Sequence, residues 1–409
     1  MTIPQQSRVS LIFNNLNIFK IFFMTILSAA WNFQVNAESQ SSLKLQTYNI
    51  GLAHQYVLYA QDRINPLMEE LKNSDSDILC LQELWLPSDV EKFKNALKEK
   101  FPHQHGLNAH QKFTTQSPIC SVSDIGGGGK LGRCLYNNCL KTSGDEFTQC
   151  VTGTCRNELN TLKNDNPQCA AALFAQVDQP LWKTLSKVLL PFMKLGLYAY
   201  EGEAGIYLFS KYPFEETDAL DFLDSSTTNR RAGLYAKVKV NGQNHHVLCT
   251  HLTANFEKTI PYTGQYNTWG NENKVQIQSL LDFLNTKTKK TSDPIYAMGD
   301  FNCGPSLPEF GIQGDLESNC QLFEKNGYLD PISSAEFSTP ECSFCRDNTL
   351  NAANKEQTSH LIDHVFIKNV KSPWSMESEV NFKNEVSLPG IEKKQNLSDH
   401  YGVKTEIFF

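Results

Sequence analysis

The chain has no surplus of basic charge: 37 Lys and Arg stand against 44 Asp and Glu, a net charge of -7 over 409 residues. That balance gives no global field toward nucleic acid or an anionic membrane, so either partner would need a local patch. Long hydrophobic runs are missing too. The longest apolar stretch, Ile21 to Trp31, has only eleven apolar or small residues, too few for a bilayer span. No internal repeat is clear, which gives no support for a solenoid. A phosphate loop is also lacking. Gly126–Gly129 lead into Lys130, but Leu131 stands where Ser or Thr is needed and Asp124 where the first Gly is needed. That run reads as a flexible loop.

What is present suits a large globular chain: 40% hydrophobic and 20% charged residues can bury a sizeable core. Residues 1–37 are expected to be a signal peptide. Arg8 and Lys20 precede the apolar stretch, and Val35-Asn36-Ala37 is a small-residue cleavage site. An uncleaved anchor is the alternative, because the leading segment is long for a signal. The expected destination is secreted or periplasmic, and twelve cysteines suit such an oxidising compartment. Six of them, Cys120, Cys134, Cys139, Cys150, Cys155 and Cys169, crowd one stretch that holds no histidine, so a disulfide-stapled region is favoured over zinc. Cys80 and Cys249 lie in apolar strands and read as buried thiols. Cys342 and Cys345 read as a short bridge or a redox pair.

Strands are expected at Leu43–Asn49, Asp77–Glu83, Gly205–Ser210, Gly233–Val240, His246–His251, Ile295–Asp300, Leu361–Ile367 and Gly402–Phe408. Ile64, Leu67, Met68 and Leu71 have helical spacing, as do Ile277, Leu280, Leu281 and Leu284 within a helix over about residues 273–285. Ser88 and Glu91 form a capping-box pattern ahead of a further helix. From residue 103 to 203 the rhythm stops. The mature chain therefore reads as one catalytic domain, 38–409, interrupted by a Cys-rich insertion at 103–203. Two sheets flanked by helices are the economical arrangement.

Short polar motifs end the apolar runs: Gln82-Glu83, Thr250-His251-Leu252, Gly299-Asp300-Phe301-Asn302, Ile362-Asp363-His364 and Ser398-Asp399-His400, with Asn49 after the first strand. Strand ends deliver residues to a common rim, so the clustering carries the signal. Phosphodiester hydrolysis near neutral pH needs charge neutralisation on non-bridging oxygens, an aligned water and control of protons. Glu83 is the best candidate metal ligand, with the Asn49 amide, because Mg²⁺ takes hard oxygen donors and keeps most of its waters. Mn²⁺ or Ca²⁺ are alternatives. A surface strand-end Glu is the structural alternative for Glu83. His400 is the candidate general base, provided a carboxylate fixes its tautomer. His245, His246 and His364 are expected to be solvated or structural.

In order and placement these motifs resemble those of the endonuclease/exonuclease/phosphatase superfamily, over nearly all of the mature chain except the insertion. The resemblance implies an α/β four-layer sandwich, with two mostly antiparallel β-sheets packed face to face and helices outside. It gives Asp363 the role of orienting His400. It places His251 on the phosphoryl group or the leaving oxygen, Asp300 and Asn302 on the water and a phosphate oxygen, and Asp399 at or beside the metal.

The superfamily includes nucleases, sphingomyelinases and inositol-phosphate phosphatases, so the fold does not choose the substrate. The leading expectation is a secreted phospholipase C resembling neutral sphingomyelinases, acting on a phospholipid headgroup. The expected export, the insertion, and a resemblance of Asn273-Lys-Val-Gln-Ile-Gln-Ser-Leu-Leu to the helix of those enzymes support it. Residues 181–200 could contact a membrane through Trp182 and Phe192, although an internal helix is the plainer reading. The alternative is a secreted nuclease resembling DNase I, with nucleic acid as partner. Arg230, Arg231, Lys237 and Lys239 are its only suggestive cations, and Arg230-Arg231 reads more readily as an exposed turn. A third reading keeps the fold as an inactive binding protein, although every expected catalytic position is filled.

Overall fold

Along β1 (Ser42–Asn49) Leu43 and Leu45 turn to one side of the strand and Tyr48, with the following Ile50, to the other. Both sides are apolar because the sheet is covered on both faces. β2 (Ile78–Gln82) repeats the pattern, with Ile78 and Cys80 on one face and Leu79 and Leu81 on the other. The computed structural model describes residues 41–107, 120–126, 130–142, 144–176, 198–257, 260–289, 291–353, 358–371 and 373–409. The expected signal peptide and nearly all of the 181–200 segment lie outside the described residues.

α1 (Ala60–Asn73) joins β1 to β2 and buries Ile64, Leu67 and Leu71 against the sheet. α2 (Pro87–Leu97) follows β2 and buries Phe93 and Leu97 on the same layer. The expected Ser88/Glu91 capping box is not formed. The helix starts two residues earlier, at Pro87, with Leu86 as an N-cap that makes no side-chain bond. Proline's fixed φ favours that first position and leaves Ser88 inside the turn.

The chain continues through β3 (His103–Gly106), β4 (Tyr207–Ser210), β5 (Phe214–Asp221), β6 (Ala232–Val240), β7 (Gln243–His251), α3 (Trp269–Thr288), β8 (Ile295–Asp300), α4 (Glu317–Lys325), β9 (Asp363–Lys368), β10 (Ser375–Asn381) and β11 (Gly402–Phe408). One sheet has six strands in the order β10-β11-β1-β2-β4-β3, and the other five in the order β5-β6-β7-β8-β9. Each sheet has one parallel pair, β1 with β2 and β7 with β8; all other neighbours are antiparallel. The two parallel pairs are bridged by α1 and α3, since a parallel return needs a crossover.

A core built from both sheets, including Leu43, Ile78, Leu234, Val247, Met298 and Val403, lies between them. α3 and α4 cover the outer face of the second sheet through Ile277, Leu280, Leu284 and Phe323. The result is the expected four-layer sandwich. Cys80 and Cys249 are not free thiols but a disulfide linking β2 to β7, one strand from each sheet, and all twelve cysteines are paired. Two half-core cysteines facing each other across the sheet interface satisfy the geometry of a bridge.

The expected insertion begins later than residue 103. His103–Gly106 is a true strand, paired antiparallel with Tyr207–Ser210, and Gly106 stands opposite Tyr207. The six crowded cysteines pair concentrically, Cys120–Cys169, Cys134–Cys155 and Cys139–Cys150, around a small helical core that includes Leu131, Leu135, Leu159 and Leu162. Among the described residues no helix is long and apolar enough to cross a membrane.

Candidate active site

Strand register assembles the site. Asn49 pairs with Gln82 across β1 and β2, while Asp300 stands opposite His251 on one side and Asp363 on the other. Side chains from both sheets thus meet at one rim, because Asn49 Nδ2 donates to Asp300 Oδ2 at 2.9 Å. Gly299 lets β8 close on β7: a Cβ there would stand 2.1 Å from the Thr250 carbonyl oxygen. Gln82 stays inside the sheet, donating to the Thr47 hydroxyl and the Cys80 carbonyl.

His400 Nδ1 lies 2.8 Å from Asp363 Oδ2, which fixes the imidazole and leaves Nε2 near Asn49 Nδ2 at 3.4 Å and Asp300 Oδ2 at 3.9 Å. Burial works against its charge, yet Asp363, Asp300 and Asp399 together outweigh burial and raise His400 well above the usual histidine value. His251 Nε2 is 3.3 Å from Asp300 Oδ2. Burial, with Arg231 and His400 nearby, holds His251 well below the usual value, so it is neutral. Burial and the adjacent Asp363 push Asp300 up to about 6. Asn302, in a left-handed backbone conformation at φ 50°, donates its amide to the Leu252 carbonyl and its N–H to Asp300 Oδ1 at 2.9 Å.

Glu83 and Asp399 form the other half. Burial and the charge of Asp399 push Glu83 up to about 7. The two carboxylates, beside the amide of Asn49, make a hard-oxygen donor set that fits a divalent cation such as Mg²⁺. The backbone is shaped for it: Glu83 sits at φ 58°, and Gly51, at φ 55°, has room for no Cβ because Asp399 Oδ1 would be 2.3 Å away. Asp300, Asp363 and His400 also converge, with ligand-type atoms within 4.8 Å of one another. His400 Nδ1, Asp363 Oδ2 and both Asp300 oxygens are already engaged in the hydrogen bonds above, which leaves Glu83 and Asp399 as the better ligands.

All eight expected site residues are therefore brought together. Three residues were missed. Arg231 was read as part of an exposed turn, but both arginines are buried, Arg230 at 1% and Arg231 at 3% exposure. Arg230 pairs with Asp221, whereas Arg231 Nε and Nη1 have no hydrogen-bond partner. The Arg231 guanidinium stands 5.7 Å from the Trp85 ring centre, and Glu83 and Asp300 act on its charge. Trp85 in turn stacks on Tyr200 at 4.8 Å. Arg63, fully buried on α1, reaches under the rim and donates to the carbonyls of Ile50, Gly51 and Leu397, tying the Asn49 loop to the Asp399 loop. Glu272 on α3 holds the Thr227 and Thr253 hydroxyls. The signal available in sequence was an arginine pair immediately before the apolar opening of a strand, Ala232-Gly-Leu-Tyr-Ala236.

His245, His246 and His364 are buried and structural, held by Tyr296, Tyr235 and Asp330 respectively, so none is solvated. The single sequon, at Asn396, is also internal: Asn396 is 2% exposed and its amide donates to the Lys383 carbonyl. A folded chain offers no acceptor there.

Residues 47–400 match the endonuclease/exonuclease/phosphatase family. The chain belongs to that family. Phospholipase C of Staphylococcus aureus is 24% identical over 213 residues, a match covering 49% of this chain and 59% of that protein's length, so the chain spans little more than half of this relative. The crystal structure of SmcL superposes with a TM-score of 0.55 at 15% identity, covering 90% of this chain and 99% of SmcL. Sphingomyelinase C from Streptomyces griseocarneus gives 0.52 at 14% identity, over 90% and 99%. A Staphylococcus aureus beta toxin variant crystallised with magnesium ions gives 0.51 at 14%, over 89% and 99%. At these identities the structures share the fold, and the family shares phosphoester hydrolysis.

Proposed function

We propose that this chain is an exported, Mg²⁺-dependent phospholipase C of the sphingomyelinase type, releasing choline phosphate from a membrane lipid. The observation that carries the chemistry is the pairing of the Glu83–Asp399–Asn49 oxygen set with a buried His400–Asp363 couple and an unpartnered Arg231. Glu83, Asp399 and Asn49 would hold the cation. When bound, it neutralises charge on the phosphoryl oxygens and, by offsetting Glu83 and Asp399, brings His400 down into the range of a base near neutral pH.

His400 Nδ1 is committed to Asp363, so Nε2 takes the proton from the attacking water. Asp300 and Asn302 orient that water and one phosphoryl oxygen. The free Nε and Nη1 donors of Arg231 bind non-bridging oxygens, a match that guanidinium geometry favours. Neutral His251 donates a hydrogen bond to the phosphoryl group or the leaving oxygen. Water oxygen bonds to phosphorus, the ester oxygen leaves, and that oxygen regains a proton.

The lipid reading is supported by the named relatives, the six disulfides of an exported chain, and the loss of the nuclease's cation cluster. Lys237 and Lys239 face Glu215, within 3.7 and 3.8 Å, and Arg230 is consumed by Asp221. Among the described residues, no row of free cations remains at that face to track successive phosphates.

The test is turnover of sphingomyelin vesicles and plasmid DNA side by side, in Mg²⁺ and in EDTA, with His400→Ala as control. Choline phosphate release that needs both the metal and His400 is expected, with a loss of at least about two orders of magnitude in the variant. DNA nicking with the same dependence would replace the lipid reading with the nuclease. Metal-independent inertness on both would leave a binding protein.

A further inference from the structure

Cys342 and Cys345 close a disulfide over only two residues, Ser343 and Phe344. This four-residue loop belongs to none of the strands, yet it touches every segment that carries the hydrolytic couple. The Ser343 hydroxyl, fully buried, accepts the N–H groups of Ile362 at 3.0 Å and Asp363 at 3.1 Å. The Ser343 carbonyl accepts the N–H of Tyr401, the residue after His400, at 2.7 Å. Phe344 exchanges both backbone hydrogen bonds with His360, and its ring centre lies 5.0 Å from the His400 ring. The Cys345 carbonyl accepts Asn351 Nδ2, and the same nitrogen donates to the Asp399 carbonyl at 2.8 Å.

Asp363 begins β9 while His400 precedes β11, and these strands lie in different sheets. Their 2.8 Å hydrogen bond therefore depends on whatever holds the two backbones in relation. Catalytic groups need placement to about 0.5 Å. Left open, a loop containing a serine would sample many backbone states; the bridge removes that freedom from the unit that spans the gap.

We infer that the Cys342–Cys345 loop is the positioning element of the His400–Asp363 couple, with Ser343 and Phe344 as positioning residues, and that opening its disulfide lowers turnover. The inference rests on the hydrolase reading above. Opening is a two-electron thiol–disulfide exchange: a dithiol reductant attacks the S–S bond, gives its two protons to the cysteines and becomes a cyclic disulfide. Cys342 is partly exposed, whereas the inter-sheet bridge is wholly buried, so a gentle reductant reaches the former before the latter.

The test compares wild type, the double variant Cys342→Ser/Cys345→Ser, and Ser343→Ala, which keeps the bridge but loses the hydroxyl acceptor. With sphingomyelin vesicles in Mg²⁺, both variants are expected to lose about ten-fold or more in kcat. KM and the Mg²⁺ dissociation constant should stay within about two-fold, a split that a merely structural lesion would not give. Mild dithiothreitol, with the opened pair identified by thiol labelling and mass spectrometry, should reproduce the loss in wild type and leave the double variant unmoved. Unchanged kcat in both variants, or parallel deterioration of kcat, KM and metal affinity, would overturn the inference. If wild type releases no choline phosphate, the lipid reading fails by itself. Hydrogen exchange then tests positioning without substrate: the Asp363 amide should exchange faster in Ser343→Ala, and equal rates would sink the claim.

Discussion

Replacing Glu83 with Gln should make the metal-free protein more stable at alkaline pH while removing its metal response. Burial and Asp399 raise the Glu83 carboxyl from 4.5 to about 7. The folded chain therefore holds this proton more tightly than the unfolded chain. The contribution of the group is fully present below the unfolded value, near 4.5, and is lost as pH rises through about 7. Taken whole, the shift corresponds to about 3 kcal/mol, but Asp399 shares the repulsion and Glu83 keeps a partly exposed edge, so we expect about 2 kcal/mol. Glu83→Gln carries no charge to repel Asp399. In EDTA at pH 8, urea unfolding should show the variant more stable by that amount, with the difference fading toward pH 4. Excess Mg²⁺ should reverse the ranking, because a ligand that binds only the folded state stabilises wild type by RT ln(1 + c/Kd), where c is the free Mg²⁺ concentration. A variant that is no more stable at pH 8 in EDTA, or that Mg²⁺ stabilises as much as wild type, would refute the picture of two carboxylates held apart for a cation.

Arg231→Met is expected to lower kcat/KM by about two orders of magnitude with little change in unfolding midpoint, since Nε and Nη1 give up no protein hydrogen bond. A large loss of stability would instead make Arg231 structural. Calorimetric titration should show Mg²⁺ affinity weakening below pH 7, approaching about ten-fold per pH unit, as Glu83 takes up the proton that the metal must displace; pH-independent affinity would remove Glu83 from the ligand set. Cys80→Ala/Cys249→Ala opens a bridge spanning 169 positions and should cost about 3–5 kcal/mol in urea, with a smaller value expected only if other disulfides already restrict that part of the unfolded chain.

The site was legible where chemistry coincides with periodicity. Asp300, His251 and Asp363 each close or open an apolar strand, so a two-residue alternation and a motif pointed to the same position. Two sheets flanked by helices followed from the strand and helix pattern, while their face-to-face stacking into four layers was what the family resemblance implied. Arg231 was hidden because Thr227, Thr228 and Asn229 mark a turn, and turn composition ordinarily signals exposure; here Glu272 pulls the turn inward through Thr227. The Cys80–Cys249 bridge was invisible because pairing between sheets depends on which face each strand presents, which spacing along one chain does not encode. Ser343 gave no sign at all. Its role comes from three backbone groups, Ile362 N–H, Asp363 N–H and Tyr401 N–H, that only the folded chain brings to one place.

The pairing of Gly106 with Tyr207 means that the disulfide-rich segment leaves and rejoins the sheet side by side at an edge hairpin. For the hydrolase, that junction is equivalent to an ordinary turn. The segment is thus built as a cassette: its three concentric bridges tie its own helices together, and Tyr200, in the turn ahead of the return strand, stacks on Trp85. Among the described residues the segment reaches the second sheet's helix layer through Ala171, which covers a patch around Ile260 and Trp269. The disulfide-stapled helices and the hydrolytic residues thus occupy separate parts of one chain.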